Sequence, residues 1–543
     1  MQILWLDLNS SYSHSSLALP AIHAQCQNLD QFNWDVVRTT ININVGTIVN
    51  EVVLKKPDLI CATAWLFTHE HLLAILSRVK VLLPDCTIAL GGPEFLGENE
   101  QYLRQYPFID MVFRGEGEEG LPQWLQISKD RKRWNEVTGV CFIDETDHYQ
   151  DGGNAKVMNF AALNAPESSS FFCRDKAFVQ FETARGCFNT CAFCVSGADK
   201  PVRSLTMQQV RERLHTYYEM GIKSIRLLDR TFNGQSKRAM EMLDLFVEFA
   251  GKLTFHLEVH PAMLSEEIRE KLTSIPNGLL HLEAGIQSLR QDVLTKSRRL
   301  GSLEDSLDGL RFLCNLKNME THADLIAGLP GYTYPMMIED IHLLASYDAS
   351  EVQLELLKLL PGTRMRREAA ESGLLYAPFP PYEILQSDSM SAADLLKSRL
   401  LSRLLDMYYN SSAWQKPFRK LMLDRIDFLE QFMDYMNKKD LLLQPLSMER
   451  RGLLFYEYCK EYHPDHLFDI SKAWIEAGLP LGKEPAKELH SIFSLPDHYI
   501  VCQGEITPET RFYQIRNYIY GFDRGVLRQR PVFCAFIPEE ATN

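Results

Sequence analysis

The chain has 543 residues and a mass of 62.5 kDa, enough for three or four domains at ~150 residues each. A hydrophobic content of 45% excludes a disordered or low-complexity protein, and a net charge of −14 excludes bulk nucleic-acid binding. The 12 cysteines are too few for a disulfide-rich secreted protein, no signal-peptide pattern opens the chain and no apolar run reaches the ~18 residues of a membrane span, so we expect a cytoplasmic protein without membrane association.

Residues 1–145 alternate short apolar runs with amphipathic segments, a pattern that predicts a Rossmann-like α/β domain. The strands are predicted at 2–8, 34–41, 58–67, 86–92 and 110–115, with helices such as 69–83 and 98–106 between them. In an open parallel sheet the ligand crevice lies at the carboxyl ends of the strands. The small and polar residues at those ends are therefore candidate ligand contacts: Thr63, Gly91, Gly92, Pro93, Gly115, Glu116 and Gly117.

Residues 146–176 are polar and small, which predicts a linker with a hairpin at Asp151-Gly152-Gly153. A second α/β alternation fills residues 177–370 and predicts a TIM-like partial (β/α)6 barrel, whose active site belongs at the carboxyl ends of its strands. Its strands are predicted at 178–185, 224–229, 253–260, 278–286, 321–329 and 351–359. Its helices are predicted at 207–220, 237–250, 265–273, 303–316 and 334–347.

Residues 371–543 predict a mainly helical C-terminal domain without a repeat or a catalytic motif. The helical patterns cover 395–408, 418–436 and 448–461, and strand-like pieces follow at 498–504 and 530–537. The amphipathic helices of this region suit a packed accessory domain.

Three cysteines fall within eight residues directly after the first barrel strand: Cys187, Cys191 and Cys194. Random scattering of the cysteines would produce this spacing with a chance of roughly 0.006, so the chemistry of three thiolates is the better explanation. They can hold three irons of a 4Fe-4S cluster and leave the fourth iron open for a ligand. Structural zinc is the alternative, and it requires a fourth cysteine or histidine.

This loop, with Phe193 before its third cysteine, resembles the signature of the radical S-adenosylmethionine (radical SAM) family. Segments after the later strands strengthen the resemblance: LLDRTFN (227–233), FHLEVHP (255–261), LEAGIQSL (282–289), DLIAGLPG (324–331) and LKLLPGT (357–363). The resemblance implies that S-adenosylmethionine binds the open iron and that an electron from the cluster cleaves it to a 5′-deoxyadenosyl radical. It also implies that Asp229 and Glu258 approach the adenosyl or methionyl part, and that Gln287 and Ser288 line the site.

The N-terminal domain resembles the cobalamin-binding domain of cobalamin-dependent radical SAM enzymes, on GGPEF (91–95) and RGEGEEGL (114–121). The resemblance implies that cobalamin lies against the glycine-rich turns. The Asp-x-His-x-x-Gly motif that supplies an axial histidine is absent, although His14 lies in the corresponding loop, so we expect the lower face of the cobalt to lack a histidine. A dinucleotide fits less well because no G-x-G-x-x-G follows the first strand. A domain that binds no cofactor and recognises substrate is the remaining alternative.

The whole chain is similar in architecture to class B radical SAM methyltransferases, and its tail to the accessory region of an uncharacterised subgroup. We therefore expect an enzyme that methylates an unactivated carbon of a small molecule or peptide, reduced by a flavodoxin or ferredoxin. The alternatives are a cobalamin-dependent rearrangement or other non-methylating radical step, an RNA-modifying methylthiotransferase and a non-catalytic iron–sulfur sensor. A methylthiotransferase would need a second set of cluster cysteines and a basic appendage, and neither is visible in the sequence.

Overall fold

A computed structural model describes residues 1–13, 15–29, 31–480 and 483–486, together with six short strands after residue 491. The chain folds into two compact units. The first comprises Met1–Thr333 and Leu356–Leu395, and the second comprises Tyr334–Glu355 and the chain from Leu396 onward.

The first unit opens with a seven-stranded sheet of order β2-β1-β3-β4-β5-β6-β7. Strands β1 to β5 run parallel, and the last two are antiparallel to their neighbours. The chain reverses its direction of winding between β1 and β3, and this switch point is where an open α/β sheet forms its ligand crevice. The strands are β1 Gln2–Asn9, β2 Asn33–Thr40, β3 Leu59–Thr63, β4 Thr87–Gly91, β5 Met111–Phe113, β6 Val140–Ile143 and β7 Tyr149–Asp151.

Helices cover both faces of this sheet because its strands are apolar on both sides. In β1, Leu4 and Leu6 face a core shared with α2 and α3, whereas Ile3 and Trp5 face a core shared with α1 and α5. The helices are α1 Ala18–Gln25, α2 Val45–Leu54, α3 His69–Leu82, α4 Glu100–Gln105 and α5 Gly117–Ile127. The doubly wound fold expected from the sequence is confirmed.

The sequence did not predict the β6–β7 hairpin, and the expected turn at Asp151-Gly152-Gly153 is wrong. The hairpin turns at Asp144–His148, where the Asp144 carboxylate accepts hydrogen bonds from the backbone N–H groups of Thr146 (2.8 Å) and His148 (3.0 Å). Gly152 serves a different purpose, because a Cβ there would lie 2.4 Å from the Val140 carbonyl oxygen.

The barrel strands of the first unit are parallel neighbours in the order β14-β13-β12-β11-β8. Their side chains alternate between a buried outer face and a polar lumen, so that in β12 Leu257 packs outward while His256 and Glu258 face the lumen. The strands are β8 Val179–Phe181, β11 Ser224–Leu227, β12 Thr254–Val259, β13 Leu280–Gln287 and β14 Glu320–Ala327. The helices are α6 Met207–Glu219, α7 Ser236–Val247, α8 Glu266–Ser274, α9 Gln291–Lys296 and α10 Leu303–Asn315.

Shorter elements complete the first unit. A two-stranded antiparallel ribbon, β9 Ala184–Arg185 with β10 Arg203–Ser204, brackets the cysteine loop. After the barrel come α12 Arg364–Arg367 and the antiparallel pair β16 Leu375–Tyr376 and β17 Ile384–Gln386. The sixth expected barrel strand also forms, as β15 Glu351–Leu356, and nearly all of it falls in the second unit.

The second unit is mainly helical, as expected. The single helix predicted over 418–436 is wrong, because α14 ends at Asp424 and α15 begins at Phe428, which brings the rings of Phe418 and Phe428 to 5.1 Å. The helices are α11 Tyr334–Ser346, α13 Ala392–Leu404, α14 Gln415–Asp424, α15 Phe428–Lys438, α16 Met448–Tyr462 and α17 Leu467–Glu476, and α13 begins in the first unit, which ends at Leu395.

The last part of the chain contains short strands. The strand-like pieces predicted at 498–504 and 530–537 include Ile500–Cys502 and Ala535–Ile537, which pair antiparallel. Arg530 ends another strand, and the other residues of both pieces lie outside the described residues. The other strands are Ile492–Phe493, Phe512–Tyr513, Ile519–Asp523 and Val526–Arg530. Among the described residues, no helix combines the length and the apolar character that crossing a bilayer demands.

Candidate functional site

The cysteine loop, residues 186–199, leaves the barrel at β9 and returns at β10. It places Cys187 and Cys191 in buried positions and leaves Cys194 and Phe193 partly exposed. Gly197 permits the tight fold of the loop, because a Cβ there would lie 2.6 Å from the Cys191 carbonyl oxygen. The loop thus holds all three thiols within a short, closely packed segment.

Backbone hydrogen bonds fix the cysteine loop from three sides. The N–H of Ala192 donates to the Ser297 carbonyl (2.9 Å), and the Ala192 carbonyl accepts from the N–H of Met365 (2.9 Å). The N–H of Cys187 donates to the Asp199 carbonyl (3.3 Å) at the end of the loop. These contacts anchor the loop to the segment after α9 and to the segment after the barrel.

The sulfur atoms lie next to groups that can donate hydrogen bonds. Cys187 Sγ accepts from the N–H of Asn189 (3.4 Å) and lies 3.5 Å from Thr231 Oγ1, and Cys191 Sγ accepts from Arg299 Nη1 (3.8 Å). Burial raises the pKa of the Cys191 thiol to about 11, and Arg299 opposes that rise. Donors of this kind stabilise the thiolates that ligate an iron–sulfur cluster.

The cysteine loop supplies three thiols as its metal-ligating groups. Within the described part of the chain, no three His, Cys, Asp or Glu side chains converge closely enough to hold one ion. A tetrahedral zinc site would need such convergence. A 4Fe-4S cluster binds each cysteine to a different iron, so its thiolates are spread more widely. Three thiols are the donor set of a cluster with one open iron, whereas structural zinc needs a fourth cysteine or histidine.

Asp229, expected near S-adenosylmethionine, is buried and binds the chain itself. Its carboxylate accepts from the backbone N–H groups of Thr183 (2.7 Å) and Ala184 (2.9 Å) and from the Thr183 hydroxyl. Burial raises its pKa and these hydrogen bonds lower it. Asp229 therefore fixes the end of β8 ahead of the cysteine loop, and it also lines a small cavity with Cys187.

Glu258 faces the barrel lumen and makes no hydrogen bond within the described residues. Its carboxylate lies 4.0 Å from the guanidinium of Arg230, and its side chain is 35% exposed. Burial among its neighbours raises its pKa to about 7, Arg230 lowers it and the adjacent Glu283 raises it further. This acid can change its charge near neutral pH.

Gln287 adopts a positive φ of 72° at a β-bulge between Gly285 and Gln287. A Cβ at Gly285 would lie 2.7 Å from the Gln287 amide nitrogen, so the glutamine side chain folds back over this strand end. Arg299 donates to the Gly285 carbonyl as well as to Cys191, and so links the bulge to the cysteine loop. Ser288 follows and is fully buried.

A cavity of about 370 Å³ lies at the carboxyl edge of the N-terminal sheet. Of the expected cobalamin contacts, Thr63, Gly91, Gly92, Gly115, Glu116 and Gly117 line it, whereas Pro93 does not. The cavity continues into an apolar slot between the sheet and helices α1 and α5, lined by Trp5, Ile22, Cys61, Ala89, Met111, Phe113 and Leu121. The residues of this edge and slot are the ones that would hold cobalamin. His14 lies outside the described residues.

The chain itself explains two of the edge glycines. Gly92 has a φ of 111°, and a Cβ there would lie 2.7 Å from the Thr63 side chain. A Cβ at Gly115 would lie 2.2 Å from the Ala155 carbonyl oxygen. Both positions require glycine for the fold, whereas at Gly91 the nearest atom to a Cβ would be 3.9 Å away.

Glu116 binds Arg203 at the point where the sheet edge meets the cysteine loop. The buried guanidinium of Arg203 donates to both carboxylate oxygens of Glu116 (2.8 Å each) and to both of Asp199 (2.9 and 2.8 Å). The N–H of Val157 also donates to Glu116 (2.7 Å). Because Asp199 is the residue whose carbonyl holds Cys187, Arg203 connects the cavity wall to the cysteine loop.

A second arginine strengthens this connection. Arg185 forms ion pairs with Glu118 of α5 (2.5 Å) and Glu182 of the barrel (2.9 Å). Sequence reasoning missed Arg185, Arg203 and Arg299, because single arginines form no motif and each has a partner far away along the chain: Glu118, Glu116 and Cys191. The position of Arg185, two residues before Cys187, was the one available signal.

Three family models match the chain. Residues 181–344 match the "Radical SAM superfamily", residues 6–125 match the "B12 binding domain" and residues 370–472 match "Protein of unknown function (DUF4080)".

The relatives include enzymes of two kinds. Over 303 residues the chain is 25% identical to the tRNA-2-methylthio-N(6)-dimethylallyladenosine synthase of Acinetobacter baumannii (strain AYE), covering 53% of this chain and 59% of that enzyme. It is 20% identical over 325 residues to the cobalamin-dependent radical SAM methyltransferase TokK of Streptomyces tokunonensis, covering 56% and 47%. The chain thus spans less than two thirds of the length of either relative.

Solved structures share the fold. The radical SAM methyltransferase TsrM from Kitasatospora setae, with cobalamin and a [4Fe-4S] cluster bound, superposes with a TM-score of 0.55 at 17% identity, covering 70% of this chain and 78% of TsrM. The cobalamin-dependent radical SAM enzyme OxsB, with aqua-cobalamin bound, superposes with a TM-score of 0.62 at 15% identity, covering 88% and 81%.

Residues 181–344 therefore form a radical SAM domain, and residues 6–125 form a B12-binding domain. These matches confirm the two domains predicted from the sequence and, with them, the expected set of a 4Fe-4S cluster, S-adenosylmethionine and cobalamin. The role of each individual site residue and the domain boundaries stay predictions.

We predict that Arg203→Met weakens the hold on the cysteine loop. It removes the cation that Glu116 and Asp199 share and leaves Glu116 with Arg185 (3.5 Å) and Asp199 with Lys156 (2.7 Å), at a cost of about 1.5–3 kcal/mol. We expect a lower melting temperature and fewer irons per chain after anaerobic reconstitution, measured by calorimetry and iron analysis. Arg211→Met, which removes an exposed ion pair with Glu248, is the matched control and should change neither value. Wild-type iron content in Arg203→Met would contradict the connecting role.

Proposed function

We propose that this protein is a cobalamin-dependent radical SAM methyltransferase that methylates an unactivated carbon of a small molecule or peptide. The observation that carries the proposal is one cavity shared by two sets of residues. Gly91, Gly92 and Gly117 line it from the sheet edge, and Gly186 and Ser196 line it from the cysteine loop. A methyl carrier and a radical source would then act on one substrate.

The cofactors supply the reactive chemistry. When bound, the cluster provides the electron that cleaves S-adenosylmethionine to methionine and a 5′-deoxyadenosyl radical, and the cobalamin carries the methyl group. The chain supplies the geometry. Asn189, Thr231 and Arg299 orient the cluster thiolates, while Asp229 and Arg203 fix the two ends of the cysteine loop.

Glu258 is our candidate for binding S-adenosylmethionine directly. A carboxylate without a hydrogen bond at a barrel mouth can pair with an ammonium group or accept from a ribose hydroxyl. Phe193, Gln287 and Ser288 are the other candidates, since Phe193 lies on the cysteine loop and the strained bulge brings Gln287 and Ser288 to the end of β13.

The similarity to a tRNA methylthiotransferase makes that activity the alternative to consider. Such an enzyme would need further exposed cysteines for a second cluster. In this chain Cys26, Cys61, Cys86 and Cys141 are all buried in the N-terminal domain, and burial raises the pKa of each thiol. Thiols of this kind pack as small apolar side chains. The cobalamin-dependent methyltransferase therefore has the better support.

We predict that anaerobically reconstituted wild-type protein, with reductant, cleaves S-adenosylmethionine, and that Cys191→Ala abolishes the cleavage because a cluster ligand is lost. Chromatography of the products measures it. S-Adenosylhomocysteine formed together with 5′-deoxyadenosine supports methyl transfer. Deoxyadenosine alone would point to a non-methylating radical reaction.

The matched control is Cys86→Ala, which removes a buried thiol far from the cysteine loop in sequence and should retain cleavage. If the folded, iron-loaded wild type produced no deoxyadenosine with any reductant, the enzyme proposal would fail and a non-catalytic iron–sulfur protein would remain.

We also predict that Gly91→Leu blocks cobalamin. The site leaves room for a Cβ, so the fold should persist while the leucine fills the cavity at the sheet edge. Titration of cobalamin, followed by its visible spectrum, should show at least about tenfold weaker binding, which corresponds to ~1.4 kcal/mol. Thr87→Leu, at the opposite end of β4, is the control and should bind as the wild type does. Unchanged affinity in Gly91→Leu would place cobalamin elsewhere.

The pH dependence of S-adenosylmethionine binding tests Glu258. Because its pKa is raised to about 7, the carboxylate is charged above that pH and gains a proton below it. If the charged form binds the ligand, the affinity of reconstituted wild type should fall as the pH drops through about 7. Glu258→Gln should bind more weakly and lose this dependence, as measured by equilibrium dialysis. The same pH profile in both proteins would exclude the role.

A further inference from the structure

A second, larger cavity opens at the other end of the barrel. It encloses about 600 Å³ at the amino ends of the parallel strands, where Ser224, Thr254, Leu280 and Glu320 lie, and Phe178 borders it before β8. The cofactor cavity adjoins the opposite, carboxyl ends. Its volume is in the range that small-molecule ligands occupy.

The barrel interior near this cavity is polar. Barrels of this class normally fill their interior with branched aliphatic side chains. Here His256, His281 and His322 from three neighbouring strands pack together instead. The rings of the first two stack with centroids 4.7 Å apart, and the rings of His281 and His322 meet edge to face at 4.2 Å. Polar side chains in place of the usual aliphatic ones are expected where a protein binds a ligand.

The acids nearest these histidines already pair with them. Glu283 lies 2.9 Å from His256 Nε2, and Glu320 lies 3.4 Å from His281 Nδ1. The carboxylates of Glu283 and Glu320 thus interact with the imidazole rings of His256 and His281. Neither acid forms an ion pair with the neighbouring arginine in the described part of the chain, although its charge lowers the pKa of Glu283.

That arginine is Arg226 of β11, which lines the cavity. Its guanidinium lies over the Phe178 ring, 4.9 Å from the centroid. Within the described residues Arg226 forms no hydrogen bond and no ion pair within 4.0 Å. Its positive charge lowers the pKa of Glu258 and of Glu283. The wall beside it carries a second cationic side chain, Lys317.

We propose that this cavity is a second ligand site, which binds a small anionic molecule through a carboxylate or phosphate group held by Arg226. A guanidinium presents a planar pair of donors that matches the two oxygens of such a group. The Phe178 ring holds the guanidinium plane and limits the side-chain entropy that binding would cost. The site is separate from the proposed methyl-transfer site and does not depend on it.

The experiment is calorimetric titration of the full-length protein with cobalamin bound, which keeps the probes out of the cofactor cavity. Inorganic phosphate and citrate are the anionic probes, and choline is the cationic control. We expect one or both anions to bind and choline not to bind. The two anions distinguish a phosphate site from a carboxylate site. Arg226→Gln should weaken anion binding at least about tenfold.

Two further variants complete the design. Arg211→Gln removes an exposed arginine from α6 and should leave binding unchanged. Arg226→Lys keeps the charge without the planar donor pair and should bind several-fold more weakly, and it serves as the test if circular dichroism shows Arg226→Gln unfolded. The proposal is overturned if neither anion binds the wild type, if choline binds instead, or if the folded Arg226 variant binds anions as tightly as the wild type.

Discussion

The bridge made by Arg203 is the interaction on which the candidate site most depends. One guanidinium binds Glu116, at the sheet edge, and Asp199, at the end of the cysteine loop. Withdrawing these charges from water costs free energy, and the ion pairs offset that cost only when their geometry is good. The main role of the Arg203 bridge is therefore to position groups and not to add stability. It fixes the distance between Glu116, in the cavity wall, and Asp199, whose carbonyl accepts a hydrogen bond from Cys187.

Some carboxylates beside a ligand cavity form hydrogen bonds to other groups of the chain and are not available to a ligand. Glu116 lines the cavity, but its carboxylate accepts hydrogen bonds from Arg203 and Val157. The carboxylate of Asp229 accepts hydrogen bonds at the end of β8. Glu258 differs, because it makes no hydrogen bond within the described residues and its pKa is raised to about 7 by burial. An acid with unused hydrogen-bonding capacity is the better candidate for contact with a ligand.

Most of the fold could be predicted from periodicity, since buried parallel strands are continuous apolar runs and their crossover helices are amphipathic. The β6–β7 hairpin was missed because its turn depends on the Asp144 side chain, and the break between α14 and α15 was missed because the packing of Phe418 against Phe428 is tertiary. The cysteines were found because their spacing is local. The arginines were missed because Arg203 lies 87 residues from Glu116, and no local pattern records such a pair.

The glycines show the limit of motif reasoning most clearly. Gly92 and Gly115 belong to the two glycine-rich turns that carry the cobalamin resemblance, yet each would clash with the chain's own atoms if it gained a Cβ. Their identity is thus required by the fold whether or not a ligand is present. Gly91 has room for a side chain and still lines the cavity, so the fold does not explain it. A glycine that packing does not require, at the wall of a cavity, is the one whose absent side chain leaves space for a ligand.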